Sequence, residues 1–358
     1  MKIFLTKFHY QKKFSITTIF LFVMLCLPTL FYFFITNLRN YLYDKKILKS
    51  YEEKEAFVVS VGNLTTGGTG KTPLVIKLGN YFANVKNEKT AIILRGYGGK
   101  LDNKKINLIK NDGKIFYNAN VCGDEAFLIA KSTLDNCIVI TSKNRVEAIK
   151  YASSQLNCKI IILDDCFQHR KVKPNLNLLL IDSQKQFGNG FVLPFGPLRE
   201  EKKSIKKRAD KIIVVNKEKN TSQNIEMLID KYKEKYNKPT FECDMDFSKI
   251  YLLNDEKQND ISNNVKSVFA FSAIGSPNQF YQNCEKYNLV GVKSYPDHHL
   301  YLQSDVDELN NLAKKQNANM LITTEKDGVK LTSFNSDLKI CILKIEPEVD
   351  IEKLLKLM

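Results

Sequence analysis

Although the sequence contains eight cysteines, it has no C-x-x-C pair and no cysteine spacing that is typical of a metal site. Several cysteines lie inside apolar runs such as Cys137-Ile-Val-Ile, where a buried thiol behaves as a small hydrophobic side chain. A disulfide framework is uncommon in a chain of 358 residues. These absences favour a protein that folds around an apolar core in a reducing, cytoplasmic interior.

Acidic residues are scarce in the first fifty positions, where eight lysines and arginines accompany the single carboxylate of Asp44. This segment therefore holds +7 of the formal net charge of +15. A nucleic-acid-binding protein more often carries its excess positive charge on an aromatic-rich face of the folded body. We therefore expect no nucleic-acid partner. The sequence also gives no sign of an obligatory protein partner.

No charged residue interrupts the apolar run FSITTIFLFVMLCLPTLFYFFITNL between Lys13 and Arg39. Such a run is long enough for a helix to cross the hydrocarbon core of a bilayer. It is too long for a usual signal peptide, and no small-x-small cleavage site follows it. Pro28 could divide it into two helices that lie in the interface or form a hairpin. We expect residues 1–50 to attach the protein to a membrane, either as a transmembrane helix or in the interfacial or hairpin mode.

The remaining sequence lacks repeats and low-complexity tracts, and short apolar strands alternate in it with helices. Continuous apolar strands in such an alternation indicate a parallel sheet covered on both faces. We predict an α/β protein with a larger domain over residues 51–240, which the loop described next makes P-loop NTPase-like, and a smaller Rossmann-like α/β domain over residues 241–358. The strand candidates are 56–61, 91–94, 137–141, 159–163, 176–181, 211–215, 267–274, 289–295, 320–324 and 339–345.

The stretch SVGNLTTGGTGKTPLV (60–75) lacks only the first glycine of the phosphate-binding pattern G-x-x-x-x-G-K-[ST], since that position is Thr65. It lies between a predicted strand and a predicted amphipathic helix, which is the setting of a phosphate-binding loop. Backbone amides of such a loop converge on phosphate oxygens at a helix N-terminus. Lys71 would reach the β- and γ-phosphates, and the Thr72 hydroxyl would reach Mg²⁺. The predicted ATP-binding residues are Thr66, Gly67, Gly68, Thr69, Gly70, Lys71 and Thr72.

A second acidic element supports a nucleotide site. The run KIIILDDCFQHR (159–170) ends an apolar strand in Asp164 and Asp165, which is the form of a Walker B strand. A carboxylate in that position holds Mg²⁺ directly or through water. Two aspartates at the start of a loop can also form a solvated turn. Because the pair follows the P-loop in the same predicted domain, we predict that Asp164 and Asp165 bind the metal.

Eight motifs in a fixed order make the sequence more specific than its P-loop alone. They are VGNLTTGGTGKTP, RGYGG (95–99), GDEAFLIA (123–130), NRVEA (144–148), DDCFQHR (164–170), GNGFVLPFGPLRE (188–200), PDHH (296–299) and TEKDGVK (324–330). Together with the apolar lead they closely resemble the tetraacyldisaccharide 4'-kinase family of the lipid A pathway, and the offset at Thr65 is part of that resemblance. It extends to about residue 330. Cys166 and Phe195 stand where the family usually has Gly and Ala, and Gly328 stands where Ala is common.

The resemblance implies that the protein transfers the γ-phosphate of ATP to the 4'-hydroxyl of a tetraacylated glucosamine disaccharide 1-phosphate. It implies that Asp124 and His298 form the base that accepts the hydroxyl proton. Taken alone, Asp124 also fits a helix N-terminus and His298 a surface loop. Since the two residues fall in different predicted domains, we expect the domains to close over ATP.

The resemblance also implies roles for further charged and polar residues. Lys71, Mg²⁺ and Arg199 would stabilise the charge that develops on the transferred phosphoryl group, and Glu200 would assist at the metal. Arg145 and Gln168 either contact substrate or orient the Walker B carboxylates, and a surface ion pair is another interpretation of Arg145. The implied substrate-binding residues are Arg95, Tyr97, Arg145 and Gln168. Residues 325–327 are either structural or close to the nucleotide.

A substrate with four acyl chains stays in a bilayer, because each buried CH₂ contributes about 0.8 kcal/mol. We therefore expect the protein at the bacterial inner membrane, with its catalytic body on the cytoplasmic side and the lipid substrate as its partner. The basic segment 201–210 would meet anionic lipid or the 1-phosphate, or else be a solvated helix face. The alternative function is a membrane-associated switch ATPase of the deviant-Walker type. The lysine that marks that class is absent, since Thr66 occupies its position.

Overall fold

The computed structural model describes residues 9–10, 16–217, 222–255, 257–275 and 277–356. Four of the basic residues expected to flank the apolar lead, Lys2, Lys7, Lys12 and Lys13, lie outside the described residues. The strands are β1 (Phe57–Asn63), β2 (Thr90–Leu94), β3 (Asn107–Asn111), β4 (Lys114–Ile115), β5 (Cys137–Thr141), β6 (Ile160–Asp164), β7 (Leu176–Asp182), β8 (Lys211–Asn216), β9 (Thr240–Asp246), β10 (Ile250–Leu252), β11 (Val268–Ser272), β12 (Leu289–Ser294), β13 (Met320–Thr324), β14 (Lys339–Leu343) and β15 (Glu346–Glu348).

Helices connect and cover these strands. The α-helices are α1 (Ile16–Asp44), α2 (Lys71–Asn84), α3 (Ala119–Cys122), α4 (Asp124–Ser132), α5 (Arg145–Lys150), α6 (Lys203–Arg208), α7 (Ser222–Tyr236), α8 (Asn278–Cys284), α9 (Gln303–Lys315), α10 (Glu325–Gly328) and α11 (Ile351–Leu355). One turn of π-helix, Tyr151–Gln155, continues α5, and two short 3₁₀ turns occupy Ser262–Asn264 and Glu285–Tyr287.

The strands form two sheets. The larger has the order β15-β9-β8-β7-β1-β6-β2-β5-β3-β4, and the smaller has the order β10-β14-β13-β11-β12. Within the larger sheet the neighbours from β9 to β5 pair in parallel, so the predicted doubly covered parallel sheet is present. Every residue of β2, β5, β6, β7 and β8 is buried, as continuous apolar runs predict.

Strand β1 lies between β6 and β7 in the middle of the larger sheet. Val61 of β1 pairs with Asp164 at the end of β6. The loop that follows β1 therefore emerges beside the predicted Walker B carboxylates, at the edge where the parallel strands end. Ligands bind at this edge in open α/β sheets.

The predicted boundary at residues 240/241 falls at the start of β9, which belongs to the larger sheet. The chain changes sheet only between Asp246 and Ile250. After β14 it returns, because β15 pairs antiparallel with β9 and α11 packs into the same core cluster as β1 and β8. The smaller sheet is thus an insertion into the larger unit, and residues 346–355 belong to that larger unit.

Helix α1 runs unbroken for 29 residues with Pro28 inside it, so Pro28 does not divide it, which was one of the alternatives left open. One face of the helix docks on the protein: Tyr32 donates a hydrogen bond to the Arg199 carbonyl, and Thr29 accepts one from the Phe195 amide. The side chains on the other face are largely exposed, and they are Leu27, Phe31, Phe34, Leu38 and Tyr41. Over the described residues no helix, α1 included, combines the length and hydropathy needed to cross a bilayer.

The basic segment 201–210 is largely engaged in ion pairs. Lys207 contacts Asp44 at the end of α1, and Arg170 contacts the same carboxylate. Arg208 pairs with the fully buried Glu200, while Lys203 pairs with Glu201. The contacts of Lys207 and Arg208 indicate that the segment helps to hold α1 against the sheet domain, since Glu200 also accepts from Asn40 of α1.

The packing between Gly328 and Ile342 can be tested by substitution. A methyl group added there would lie 2.3 Å from Cδ1 of the buried Ile342. We expect Gly328→Ala to lower the free energy of unfolding by about 1 kcal/mol in urea denaturation, since overpacking strains both residues. Adding Ile342→Val, which removes that Cδ1 atom, should recover most of the loss. Equal stability of the glycine and alanine proteins would show that the site has spare room.

Candidate active site

The P-loop joins the end of β1 to α2. Gly70 precedes α2 in a left-handed conformation, φ 84°, which side chains other than glycine rarely adopt. Thr65, by contrast, forms an isolated antiparallel bridge with Leu198. The neighbouring Thr66 amide donates to the Pro197 carbonyl. This extended pairing explains why the loop needs no glycine at its first position.

Asn63 organises the interior of the loop. Its amide group donates to the Thr69 hydroxyl at 2.8 Å, and its Oδ1 accepts from Lys71 Nζ at 3.2 Å. Lys71 also lies 3.5 Å from the Asp165 carboxylate. The predicted lysine is therefore placed between the P-loop and the Walker B strand, where a phosphate group would be bound.

Asp164 is buried beside this loop. Burial, and then the negative charges of Glu125 and Asp165, raise the pKa of Asp164 to about 7. Its Oδ1 atom has no hydrogen-bond partner among the described residues. A buried carboxylate oxygen without a partner is costly unless a cation is bound, so Asp164 fits the predicted metal role.

Asp165 has the opposite electrostatic environment. Although burial opposes it, the positive charges of Lys71 and Arg199 hold the pKa of Asp165 below its ordinary value. Arg199 Nη1 lies 2.8 Å from both carboxylate oxygens and 3.4 Å from Gln168 Oε1. Gln168 in turn donates to the Asn63 carbonyl. Four predicted residues, Lys71, Asp165, Gln168 and Arg199, thus form one connected group.

Glu200 and Arg145 are both buried and bonded to the protein itself. Glu200 accepts from Asn40 of α1 and pairs with Arg208, so the contacts that it makes are with helices. Arg145 donates to the Ser142 and Asp164 carbonyls. Of the three interpretations of Arg145, its burial at the end of the Walker B strand fits the one in which it orients that strand.

Asp124 and His298 meet across the two sheets. Asp124 is the first residue of α4 in the larger unit, and His298 lies in the loop after β12 in the smaller one. His298 Nδ1 is 3.0 Å from Asp124 Oδ2. Burial would raise the pKa of Asp124, but the hydrogen bond to His298 and the charge of Lys326 hold it below its ordinary value. The carboxylate therefore stays ionised beside the imidazole.

Neighbouring residues complete this pair. Lys326 Nζ lies 3.8 Å from Asp124 and 3.4 Å from Glu125, so Lys326 adjoins the Asp124–His298 contact. The exposed Tyr97 ring lies 5.6 Å from the His298 ring, so this predicted substrate residue borders the same site. Arg95 is exposed at the end of β2. The contacts do not show what it binds.

The second histidine of PDHH has a different environment. His299 Nε2 is bonded to Asp305, and its ring stacks on Tyr295 at 4.6 Å. This engagement favours His298 over His299 as the reactive residue. Asp327 is completely buried, where it pairs with Lys330 and accepts from the Ala273 amide, so its contacts are structural.

Two organising residues were not singled out from the sequence, namely Asn63 and Lys217. Lys217 follows β8 and donates to the Gly68 carbonyl of the P-loop at 2.6 Å. Only their place in the sequence could have identified them, because Asn63 ends β1 and Lys217 directly follows β8, at the edge of the parallel sheet where ligands bind. Within the described part of the chain, no group of three or more His, Cys, Asp or Glu side chains is arranged to hold a metal.

Comparison with known proteins gives one consistent result. Residues 21–358 match the family model described as tetraacyldisaccharide-1-P 4'-kinase. The tetraacyldisaccharide 4'-kinase of Desulfotalea psychrophila is 36% identical over 310 residues, 85% of this chain and 86% of the relative. That of Syntrophus aciditrophicus is 34% identical over 341 residues, 91% of this chain and 88% of the relative. The crystal structure of LpxK from Aquifex aeolicus in complex with ATP superposes with a TM-score of 0.73 at 29% identity, covering 94% of this chain and 97% of that one.

The two Walker B aspartates predict opposite pH effects on stability. Because the pKa of Asp164 is raised to about 7, the folded protein holds a proton that the unfolded chain releases, and stability falls as pH rises from about 4 to 7. With EDTA present and nucleotide absent, Asp164→Asn should gain roughly 2–4 kcal/mol relative to wild type between pH 4 and 8. Urea denaturation at several pH values measures this.

Asp165→Asn is the matched control. The pKa of the Asp165 carboxyl is lowered, so its ionised form contributes stability that is lost as pH falls. The free energy of unfolding of Asp165→Asn should therefore decrease relative to that of wild type as pH rises. If the stability of wild type and of Asp164→Asn changed in parallel with pH, burial would not raise the pKa of Asp164.

Proposed function

This chain belongs to the tetraacyldisaccharide-1-P 4'-kinase family, and we propose that it transfers the γ-phosphate of ATP to the 4'-hydroxyl of a tetraacyldisaccharide 1-phosphate in lipid A biosynthesis. The observation that carries the mechanism is the Asp124–His298 contact, which joins the P-loop unit to the smaller one. It supplies a base for the acceptor hydroxyl, a group that a nucleotide switch does not need.

His298 is suited to accept the hydroxyl proton. Its Nδ1 atom donates to Asp124, which leaves Nε2 as the acceptor. The nearest carboxylate to Nε2, that of Asp297, is 3.8 Å away and too distant for a hydrogen bond. As the sugar hydroxyl attacks, the proton moves to Nε2 and the adjacent carboxylate stabilises the imidazolium.

Lys71 and Arg199 are proposed to stabilise the phosphoryl group during transfer. Both side chains contact Asp165 in the structure, so two cations are already directed to the end of the Walker B strand. Phosphoryl transfer depends on positioning and on charge stabilisation of the equatorial oxygens. The P-loop amides from Gly67 to Thr72 would hold the ATP phosphates in front of these cations, while the Thr66 amide is bonded to the Pro197 carbonyl.

Mg²⁺ fits the residues present. Asp164 offers a buried oxygen without a hydrogen bond from the described residues, and Asp165 and the Thr72 hydroxyl are the further oxygen ligands proposed. Few protein ligands suffice, because Mg²⁺ usually completes its octahedron with water and substrate phosphates. When bound, the ion neutralises charge on the β- and γ-phosphates. Glu200 is not included, since it is engaged with α1 and α6.

Helix α1 is proposed to lie on the cytoplasmic face of the inner membrane. Its exposed apolar side chains recur three or four residues apart, which is the spacing of one helix face. Its opposite face is bonded to the loop that carries Arg199. A helix held in this way places the active site next to the surface in which the acylated substrate resides.

Replacing Asp124 tests the acceptor side. We expect Asp124→Ala to reduce phosphate transfer to tetraacyldisaccharide 1-phosphate in detergent micelles by about 10²–10⁴-fold while ATP binding is kept. His299→Ala is the control and should retain most activity, because that ring contacts Asp305 and Tyr295 instead. If wild-type protein hydrolyses ATP but never phosphorylates the lipid, the proposed acceptor is wrong.

Replacing the exposed face of α1 tests the membrane role. Leu27→Ser together with Phe31→Ser should weaken sedimentation with phospholipid vesicles at least about tenfold, because two apolar side chains no longer leave water. Val85→Ser, which changes an exposed apolar residue outside α1, should leave vesicle binding unchanged. Unchanged binding of the double variant would exclude this face as the contact surface.

A further inference from the structure

Lys217 lies far from the P-loop in sequence but contacts it directly. Its ammonium group donates to the Gly68 carbonyl at 2.6 Å and pairs with Asp182 Oδ2 at 2.8 Å. The side chains of Lys217 and Asp182 are only 14% and 6% exposed, so this is a largely buried ion pair. Such a pair is retained at a cost in desolvation, which calls for a reason beyond stability.

The contact with Gly68 fixes the direction of a backbone amide. In a trans peptide the C=O of one residue and the N–H of the next point in opposite directions. When Lys217 holds the Gly68 carbonyl, the Thr69 N–H must point away from Lys217. That amide belongs to the loop proposed to bind the ATP phosphates, where a carbonyl in its place would repel them.

Glycines on both sides give this peptide conformational freedom. Gly67 has a φ of 114° and Gly70 a φ of 84°, so the residues that flank the peptide adopt conformations available mainly to glycine. A Cβ atom placed on Gly67 or on Gly68 would meet nothing within 4 Å in the described structure. The buried Thr69 side chain is bonded to Asn63, which anchors one end of the peptide. The described hydrogen bond that sets the direction of the Gly68 carbonyl is donated by Lys217.

Backbone hydrogen bonds fix the carboxylate of Asp182. Its Oδ1 atom accepts from the backbone amides of Gln184 and Lys185, which fixes the carboxylate at the end of β7. Its Oδ2 atom is then directed at Lys217. Burial opposes ionisation, but Lys217 and these amides hold the pKa of Asp182 below its ordinary value. The carboxylate thus aims the ammonium group at the P-loop.

We propose that Lys217 is a positioning residue for ATP, which holds the Gly68–Thr69 peptide with its N–H available to phosphate and is itself oriented by Asp182. The proposal rests on the proposed role of residues 66–72 in binding ATP. It makes the end of β8 a specific determinant of nucleotide affinity. It assigns Lys217 no contact with the acceptor lipid.

The test compares nucleotide binding with nucleoside binding in the full-length protein. Calorimetric titration with ATP, ADP and adenosine should show that Lys217→Met weakens both nucleotides about tenfold and adenosine less than twofold, since only the phosphates contact the loop amide. In steady-state assays KM for ATP should rise by a similar factor, while KM for the lipid stays unchanged. Lys217→Arg, which keeps the charge, should recover part of the affinity.

Stability is separated from positioning by a second variant. Lys217→Met leaves Asp182 buried without its partner and therefore lowers the melting temperature. The double variant Lys217→Met, Asp182→Asn removes both charges, so it should regain stability but keep the weak ATP binding. Lys203→Met, at an exposed lysine paired with Glu201, should change neither quantity.

The outcomes distinguish this inference from the proposed function. If wild-type protein binds ATP and the double variant binds it equally well, Lys217 does not position the loop. An equal loss of ATP and adenosine would also overturn the proposal, because it would indicate a general distortion of the site. If wild-type protein fails to bind ATP at all, the assignment of the P-loop itself is wrong.

Discussion

Parallel pairing of β1 with β6 and β7 is the constraint from which the nucleotide site follows. Because the three strands run in the same direction, the P-loop, the Walker B aspartates and Asp182 all emerge at one edge of the sheet. β8 continues the same pairing and brings Lys217 to that edge. Residues that are far apart in sequence thus become neighbours through strand direction alone, and side-chain hydrogen bonds then set the final geometry.

The sequence was most informative where burial is uniform. Strands such as β5 and β13 were located to the residue, because a short β-branched run has few other stable environments. Strands β3, β4, β9, β10 and β15 were not predicted. In β3 and β9 the charged residues Lys110, Glu242 and Asp244 interrupt the apolar pattern, and both strands lie towards the edges of the sheet. The predicted limit at residues 240/241 divides the larger sheet for a related reason: no local signal marks residues 346–348 as partners of β9.

The candidate site was predictable in part. The predicted residues Lys71 and Asp164 lie together at the strand ends, and Asp124 and His298 contact each other. Glu200 and Arg145, which belong to the same motifs, have other surroundings. Their charges are buried and paired with Arg208 and with backbone carbonyls, respectively, so each supports an element rather than a ligand. A sequence motif contains both kinds of residue, and the contacts that each side chain makes distinguish them.

The return of the chain to the larger sheet has a consequence for biosynthesis. Lys211 of β8 is buried and its ammonium group donates to the Leu354 carbonyl, while β9 pairs with β15. Neither partner exists until the ribosome has synthesised the whole of the smaller unit. During translation the nascent larger unit therefore lacks the acceptor of Lys211 and has an open strand edge at β9. Helix α1 emerges long before that, so the face proposed to contact the membrane is synthesised before the larger sheet can be completed.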